Sequence, residues 1–159
     1  QPSLIVMPFH VLGDSSDLEP IAESVVENLM TVLTRVPMLS IASRMTSSSL
    51  KGKNPSASDI REQFHVDFMI DGSLRMADSR VLANVQLVDT ESGFQVWAQQ
   101  FEFEHDENLI KELMQGILTR LEPQLTRAIY QSLSDESGQL TSRQLLLRDE
   151  HPGDQGLAP

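Results

Sequence analysis

Three consecutive stretches between residues 67 and 103 alternate apolar and polar side chains with a period of two. This period is the geometry of a strand with one buried face, because successive side chains point to opposite sides of a sheet. Turn-forming segments at 77–79 and 89–93 separate the stretches, so the pattern predicts a three-stranded antiparallel meander. Its apolar face is predicted to hold Phe68, Ile70, Leu74, Val81, Val85 and Leu87, followed by Trp97, Phe101 and Phe103.

The rest of the chain supplies the other elements. A short continuous apolar run at residues 4–7 predicts a strand that is buried on both faces. The segment Ser16-Asp17-Leu18-Glu19 fits a capping box, which predicts the start of a helix. The further expected elements, in chain order, are that helix to Leu33, a short strand at 38–41, a polar loop at 43–57, a short helix at 58–65 and a final helix capped by Asp106, with a kink or new start at Pro123.

Together these elements predict an α/β fold. We expect a mixed sheet of about five strands packed with two to three helices, mainly on one face. The domain is expected over residues 1–133. Residues 134–159, where Ser, Gly, Asp and Pro accumulate, are expected to form a flexible tail or linker.

Composition excludes several kinds of function. The chain has no cysteine, so it has no disulfide, thiolate metal site or cysteine nucleophile. Its net charge of -11 argues against nucleic acid and against anionic membrane surfaces as partners. No apolar stretch reaches the roughly 20 residues that span a bilayer, so we expect no membrane insertion by this segment. Because the first residue is Gln1, we expect a processed product or an excised segment.

One local exception to the acidic character runs from residue 35 to residue 61. This basic cluster opposes only one carboxylate, that of Asp59, and it could hold an anion. We favour the plainer interpretation, a solvated loop that balances an acidic protein. Its members are Arg35, Arg44, Lys51, Lys53 and Arg61.

Known catalytic and metal-binding patterns are missing from the sequence. The four histidines are scattered, and none pairs with His, Asp or Glu at a helical metal spacing. Gly52 between two lysines lacks the rest of a phosphate-binding loop, and Ser47 to Ser49 lack the context of a nucleophile elbow. We therefore predict no catalytic residue, no metal and no cofactor.

Two surfaces remain as candidate binding sites. The loop after the first strand, with His10, Asp14 and Ser15, would lie at the carboxyl edge of the sheet if that strand pairs in parallel. The polar face of the meander could meet water, a partner or a second copy. Its predicted members are Asp71, Ser73, Arg75, Asn84, Gln86 and Gln99, and we expect Arg75, Asn84 and Gln86 to be the binding residues among them.

Several segments resemble one known family. Residues 2–9, PSLIVMPF, are similar to the opening of TolB amino-terminal-like domains. Segments 33–37, 42–53, 68–75 and 85–98 resemble later motifs of the same family in the same order. The resemblance covers roughly residues 2–121. It departs from the family pattern at 23–27 and 101–103, where no chemistry is involved.

The resemblance implies a non-catalytic domain with an anticodon-binding-like α/β fold. Such domains occur in transmembrane adenylate cyclases with TPR repeats and in CadC-like membrane-bound regulators. By this resemblance we expect a sensory or protein-interaction domain in the periplasm, as the extracytoplasmic part of an inner-membrane protein whose full length could be an adenylate or guanylate cyclase. Its expected partners are other protein domains or subunits, including a homodimer. The alternatives are a FlgO-like component of envelope or flagellar assembly, a small-molecule-binding enzyme fragment, and a cytoplasmic location.

Overall fold

The computed structural model describes the backbone of residues 1–148 and the side chains of residues 1–135. The strands are β1 (Ser3–Val6), β2 (His10–Val11), β3 (Ser40–Ile41), β4 (Phe68–Ala77), β5 (Arg80–Asp89) and β6 (Gln95–Glu104). The helices are α1 (Glu19–Leu33), α2 (Arg44–Ser48), α3 (Ala57–Phe64) and α4 (Leu109–Arg148), with a 3-10 turn at Ser16–Leu18.

These strands form one mixed sheet in the order β3-β1-β4-β5-β6, and β2 also pairs with β4. β1 runs parallel to β3 and β4, and β2 also runs parallel to β4, whereas β5 is antiparallel to both β4 and β6. The predicted meander and the predicted α/β class with a mixed sheet are therefore confirmed. The sheet has six strands where about five were expected.

β1 and β2 are two parts of one interrupted strand. Val6 pairs with Ile70 and His10 pairs with Ser73, so the first strand holds one residue more than β4 between these pairs. The extra residue makes a bulge at residues 7–9, where Pro8 has no backbone donor to offer a ladder. The turn predicted from His10 onward is wrong for its first two residues, because β4 extends far enough to pair with them.

The main core lies between the sheet and the helices α1 and α4. All six residues predicted for the apolar face of β4 and β5 are buried, at no more than 5% exposure. α4 contributes a stripe of residues four apart, with Leu109, Leu113, Ile117 and Leu121 at no more than 1% exposure. Each such side chain contributes roughly 1.5–3 kcal/mol by leaving water, so this layer is a principal source of stability.

A smaller core covers one end of the opposite sheet face, beneath α2 and α3. The segment 43–57, predicted as a loop, contains α2 because the Ser43 side chain accepts a hydrogen bond from the Thr46 amide and caps the turn. The buried Ser47 hydroxyl donates to the Val6 carbonyl and fastens α2 to the sheet. The apolar members of this core are Ile5, Met7, Leu50, Ile60, Val66, Met69 and Val88.

The start of α1 differs from the predicted capping box. Residues Ser16–Leu18 form a 3-10 turn, and no side chain caps the helix that follows at Glu19. Pro20 lies in the first turn, where its fixed φ favours a helix start and its missing donor costs least. The prediction of a helix here is thus confirmed, but Pro20 in the first turn favours the helix start, and Ser16 does not cap it.

α4 passes through Pro123 as one helix, so the new helix start expected there is not seen. The Asp106 side chain accepts from the Asn108 amide in the turn before the helix, whose first residue is Leu109. The backbone remains helical to Arg148, past residue 134 where the tail was predicted to begin. The division into a domain at 1–133 and a tail stays a prediction, and residues 149–159 lie outside the described part of the chain.

Candidate functional site

α2 and α3 cover only one end of the second sheet face, and the remainder forms a shallow depression of about 440 Å³. We call this surface the open sheet face. Its residues come from β2, β4, β5 and β6, on the strand positions that point away from α1 and α4. The side chains along it are those of His10, Asp71, Ser73, Asn84, Gln86, Gln95, Ala98 and Gln100.

Four of these side chains form a line across the sheet, which we call the polar ladder. Gln95 Nε2 donates to Gln86 Oε1 at 2.6 Å, and Gln86 Nε2 donates to Asp71 Oδ2 at 3.5 Å. His10 Nε2 lies 3.8 Å from Asp71 Oδ1 at the other end. Directly paired residues such as Asp71 and Gln86 lie close enough in a sheet for their side chains to interact. The polar ladder therefore orients amide, carboxylate and imidazole groups toward one depression.

Gln95 reaches this face through an irregularity in β6. Leu87 pairs with Trp97, but the next residue, Val88, pairs with Gln95, so Val96 is the extra residue of a bulge. Without the bulge, Gln95 would have the parity of Trp97 and point toward the helices. The sequence pattern gave no sign of this shift, and Gln95 was not among the predicted residues.

Gln99 was predicted on the polar face. It borders the depression, but its place in the sheet assigns its side chain to the other face. Gln99 pairs with Val85, whose side chain is buried on the helix side of the sheet. Its parity with Trp97 and Phe101 already assigns it to that side. Gln100, which was missed, has the opposite parity and lies on the open sheet face.

The other predicted binding residues divide into two groups. His10, Asn84 and Gln86 meet at the depression. Arg75 is exposed on β4 and does not line the depression. Asp14 and Ser15 lie in the loop before α1 and do not line the depression. Ser15 is buried, and its carbonyl accepts from the Leu18 amide at 2.9 Å. The structure thus brings half of the predicted set together.

His10, Asp71 and Ser73 lie on one face and have the residue types of a hydrolytic triad, but not its geometry. A triad requires hydrogen bonds from nucleophile to base and from base to carboxylate, at about 2.6–3.2 Å. The His10 to Asp71 separation of 3.8 Å exceeds this range. Elsewhere among residues 1–135, no group of three His, Asp or Glu side chains comes together as a metal site.

The basic cluster of residues 35–61 is largely neutralised by carboxylates from outside it. Arg44 Nη1 lies 2.8 Å from Glu27, and Lys51 Nζ lies 2.6 Å from Glu23, both on α1. The hydrogen bond and charge of Lys51 lower the pKa of Glu23, and the same contact raises the pKa of Lys51. These pairs favour the solvated-loop interpretation over an anion site.

A family model described as the second domain of HilA/YgeH-like transcriptional regulators matches residues 1–120. A curated relative, named "Putative adenylate cyclase 3" of Rhizobium meliloti (strain 1021), is 28% identical over 102 residues. The match covers 64% of this chain but 17% of that protein, so the chain spans about a sixth of the relative's length.

Solved structures with the same fold include lipoprotein GNA1162 from Neisseria meningitidis, at a TM-score of 0.55, 12% identity, and coverage of 77% of this chain and 97% of that chain. TolB from Acinetobacter baumannii has a TM-score of 0.54 at 16% identity, over 79% of this chain and 28% of that chain. The C-terminal domain of LpoB from Escherichia coli has a TM-score of 0.51 at 15% identity, over 65% of this chain and 83% of that chain.

These comparisons refine the resemblance inferred from the sequence. The likeness to TolB is confirmed as a likeness of fold, whereas the family model that matches is that of the HilA/YgeH-like domain. In the part of the chain that the structure describes, no helix is both long and apolar enough to cross a membrane.

Proposed function

Because the chain belongs to the family of second domains of HilA/YgeH-like transcriptional regulators, we propose that it is a non-catalytic interaction domain within a larger signalling protein. Its open sheet face binds another protein domain or subunit. That partner regulates, or is regulated by, an output domain elsewhere in the same polypeptide.

The observation that carries this proposal is the polar ladder on an otherwise uncovered sheet face. Interfaces between separately folded domains are commonly polar and hydrated, with about one hydrogen bond per 100–200 Å². The polar ladder supplies such donors and acceptors, held in place by the contacts of Gln86 with both Gln95 and Asp71. The missing triad geometry of His10 makes binding the better-supported role for these groups.

The relatives support the same proposal from a second direction. The matching family model is described as a domain of transcriptional regulators, and the curated relative is named "Putative adenylate cyclase 3", so these names describe different outputs. A domain shared by both is better suited to receiving or passing a signal than to producing either output. The cyclase label of the relative would then come from the larger part of that protein, outside the 17% that this chain matches.

We further propose that this domain lies in the periplasm, as the extracytoplasmic part of a membrane protein. The fold of a Neisseria lipoprotein is compatible with this location. Alkaline phosphatase fused after this segment in the full-length parent should be active if the location is correct. An inactive phosphatase fusion together with a fluorescent cytoplasmic reporter fusion would place the domain in the cytoplasm.

The proposed interaction is tested by binding between this chain and the remaining part of its parent protein. Gln86→Lys removes the central amide of the polar ladder and adds a charge to the open sheet face. We expect it to weaken binding by at least about tenfold, which corresponds to about 1.4 kcal/mol, as measured by titration calorimetry.

A matched control is Thr126→Lys, which adds the same charge at an exposed position of α4, on the other side of the sheet. It should bind like the wild type. Equal loss in both variants, or no binding by the wild type, would contradict the proposed function. Cyclic nucleotide formation by this chain alone, abolished by substitution of His10, would show instead that the domain is an enzyme.

A further inference from the structure

The outer edge of β6 differs from an ordinary protected sheet edge. β6 ends the strand order, and within residues 1–148 no strand pairs with its second edge. It is ten residues long, with the bulge at Val96 near one end and the carboxylates of Glu102 and Glu104 at the other. Residues 97–101 between them contain no bulge, charge or proline, the features that commonly block pairing at an edge. We propose that β6 pairs antiparallel with β6 of a second copy, so that two sheets join across a twofold axis. This interface uses the backbone edge of β6, whereas the proposed function uses the polar ladder. Only Ala98 and Gln100 belong to both surfaces.

The alternation along β6 restricts the register of such a pair. Residues directly opposite in an antiparallel ladder point to the same face. A register centred on Gln100 fulfils this condition and places Gln100 opposite itself. On the helix side, Trp97 then lies opposite the partner's Phe103, and aromatic cross-strand pairs of this kind stabilise sheets.

The charge distribution of β6 favours the same arrangement. Residues 95–101 carry no charge, and the two carboxylates, Glu102 and Glu104, lie together at the end of the strand. Antiparallel pairing places these ends far apart, and Glu102 then faces the partner's Ala98. Arg80 already pairs with both carboxylates of its own chain, at 3.2 Å and 2.5 Å. Two copies, each with a net charge of -11, would therefore meet along the uncharged residues 95–101 of β6.

A groove of about 370 Å³ runs between β6 and α4, on the helix side of the sheet. Gly116 allows α4 to approach closely, since a Cβ atom there would lie 3.2 Å from Cζ of Phe103. Phe103 is only partly buried and lines this groove. In the proposed register the partner's Trp97 is placed beside Phe103, where it would cover apolar surface that one copy leaves exposed.

α4 supplies charges that complement each other across the same axis. α4 follows β6 directly and runs antiparallel to it, since Ala128 and Val96 line a common pocket near the start of β6. Glu112 and Arg120 both line the groove. Because α4 runs antiparallel to β6, we infer that Glu112 lies nearer the Phe103 end and Arg120 nearer the Gln99 end. A twofold axis at Gln100 brings Glu112 toward the partner's Arg120, and the reverse pair forms by symmetry.

Disulfide trapping tests the pairing directly, because the full chain has no cysteine of its own. Gln100→Cys should form a disulfide-linked dimer under mild oxidation, since opposite Cβ atoms in a ladder lie about 4.5–5.5 Å apart. Asn84→Cys is the matched control. Asn84 pairs directly with Gln100 and lies on the same face, but it is one strand further from the edge.

The register has its own test. A mixture of Ala98→Cys and Glu102→Cys chains should yield mainly the mixed disulfide, because these positions face each other when Gln100 faces itself. A disulfide from Asn84→Cys without one from Gln100→Cys would overturn the proposal and assign contact to the open sheet face. Self-linked Ala98→Cys in preference to the mixed product would overturn the register.

Sedimentation equilibrium of the full chain gives an independent measurement. The wild type should show a dimer that dissociates on dilution, and Gln100→Lys should weaken it by at least about tenfold, with an unchanged circular dichroism spectrum. Gln86→Lys, which tests the proposed function, should leave the dimer intact. A wild-type chain that stays monomeric at all concentrations would overturn the proposal.

Discussion

The ring of Phe9 lies against the backbone of Gly72 with no room for a methyl group between them. A Cβ atom added at Gly72 would lie 2.6 Å from Cε2 and from Cζ of Phe9, and 2.7 Å from the carbonyl oxygen of Asn84. Phe9 belongs to the bulge between β1 and β2, whereas Gly72 lies in β4. The bulge that positions His10 beside Asp71 thus requires a residue without a side chain on the neighbouring strand.

Gly72→Ala should therefore lower the free energy of unfolding by about 1–3 kcal/mol or more, because the new methyl group overpacks a buried contact. Urea denaturation measures this change. Ser73→Ala, one position along the same strand, alters a partly exposed side chain on the open sheet face and should have a much smaller effect.

A double variant shows whether the contact with Phe9 is the cause. Combining Phe9→Leu with Gly72→Ala should lower the free energy of unfolding by less than the sum of the two single changes, since Leu can leave room for the methyl group. Part of the loss of stability caused by Gly72→Ala should persist in the double variant, because the carbonyl of Asn84 cannot move away as easily. Simple additivity of the two changes would refute the close packing between the two residues.

The hydroxyl of Ser47 provides a second sensitive position. It is 1% exposed and donates to the carbonyl of Val6, which joins α2 to β1. Ser47→Ala leaves that buried carbonyl without this donor and should destabilise the protein by about 1–3 kcal/mol. Ser48→Ala, at the exposed neighbouring position of α2, is the control and should change the urea midpoint little. Equal midpoints for the two variants would mean that the hydroxyl contributes nothing.

Phe101 and Trp97 should differ in their contribution to stability. Phe101 is 8% exposed, whereas Trp97 is only partly buried at the edge of the same core. Phe101→Ala should cost about 3–5 kcal/mol, and Trp97→Ala should cost less despite the larger ring. Thermal and urea unfolding at low protein concentration would compare them without a contribution from association. A larger loss of stability for Trp97→Ala than for Phe101→Ala would show that the Trp97 indole is part of the core, as the sequence pattern predicts.

The sequence predicted the sheet well because its signal is local. Strict alternation assigns Ile70, Val85 and Leu87 to one face without any knowledge of neighbouring strands. Short elements were harder to predict from the sequence, since β2 exists only because the distant β4 extends beside it. α2 was read as a loop because its five residues are too few for a visible apolar stripe.

The candidate site was predictable only in part for the same reason. Asn84 and Gln86 follow from alternation, and their position on the open sheet face was expected. Gln95 depends on a bulge at Val96, which breaks the alternation that the prediction uses. The ion pairs of Arg44 and Lys51 depend on the packing of α2 beside α1, which no local pattern encodes.

The Glu23–Lys51 pair leads to a prediction about pH. The pKa of Glu23 is lowered from 4.5, so its contribution to stability is present above that value and is lost as the pH falls through the lowered pKa. The pKa of Lys51 is raised from 10.5, so its contribution is present below that value and is lost as the pH rises through the raised pKa. Both contributions are therefore complete in the window between these two ordinary values.

Glu23→Gln should accordingly lower the melting temperature slightly and by a constant amount across that window. The difference from the wild type should shrink on the acidic side, once Glu23 itself takes up a proton. It should also shrink at high salt, because both side chains are exposed and their attraction is screened. Glu107→Gln removes an exposed carboxylate that makes no ion pair among the described side chains, so it serves as the control for net charge. A difference between Glu23→Gln and the wild type that remained unchanged in acid and in high salt would show that the pair does not act through its charges.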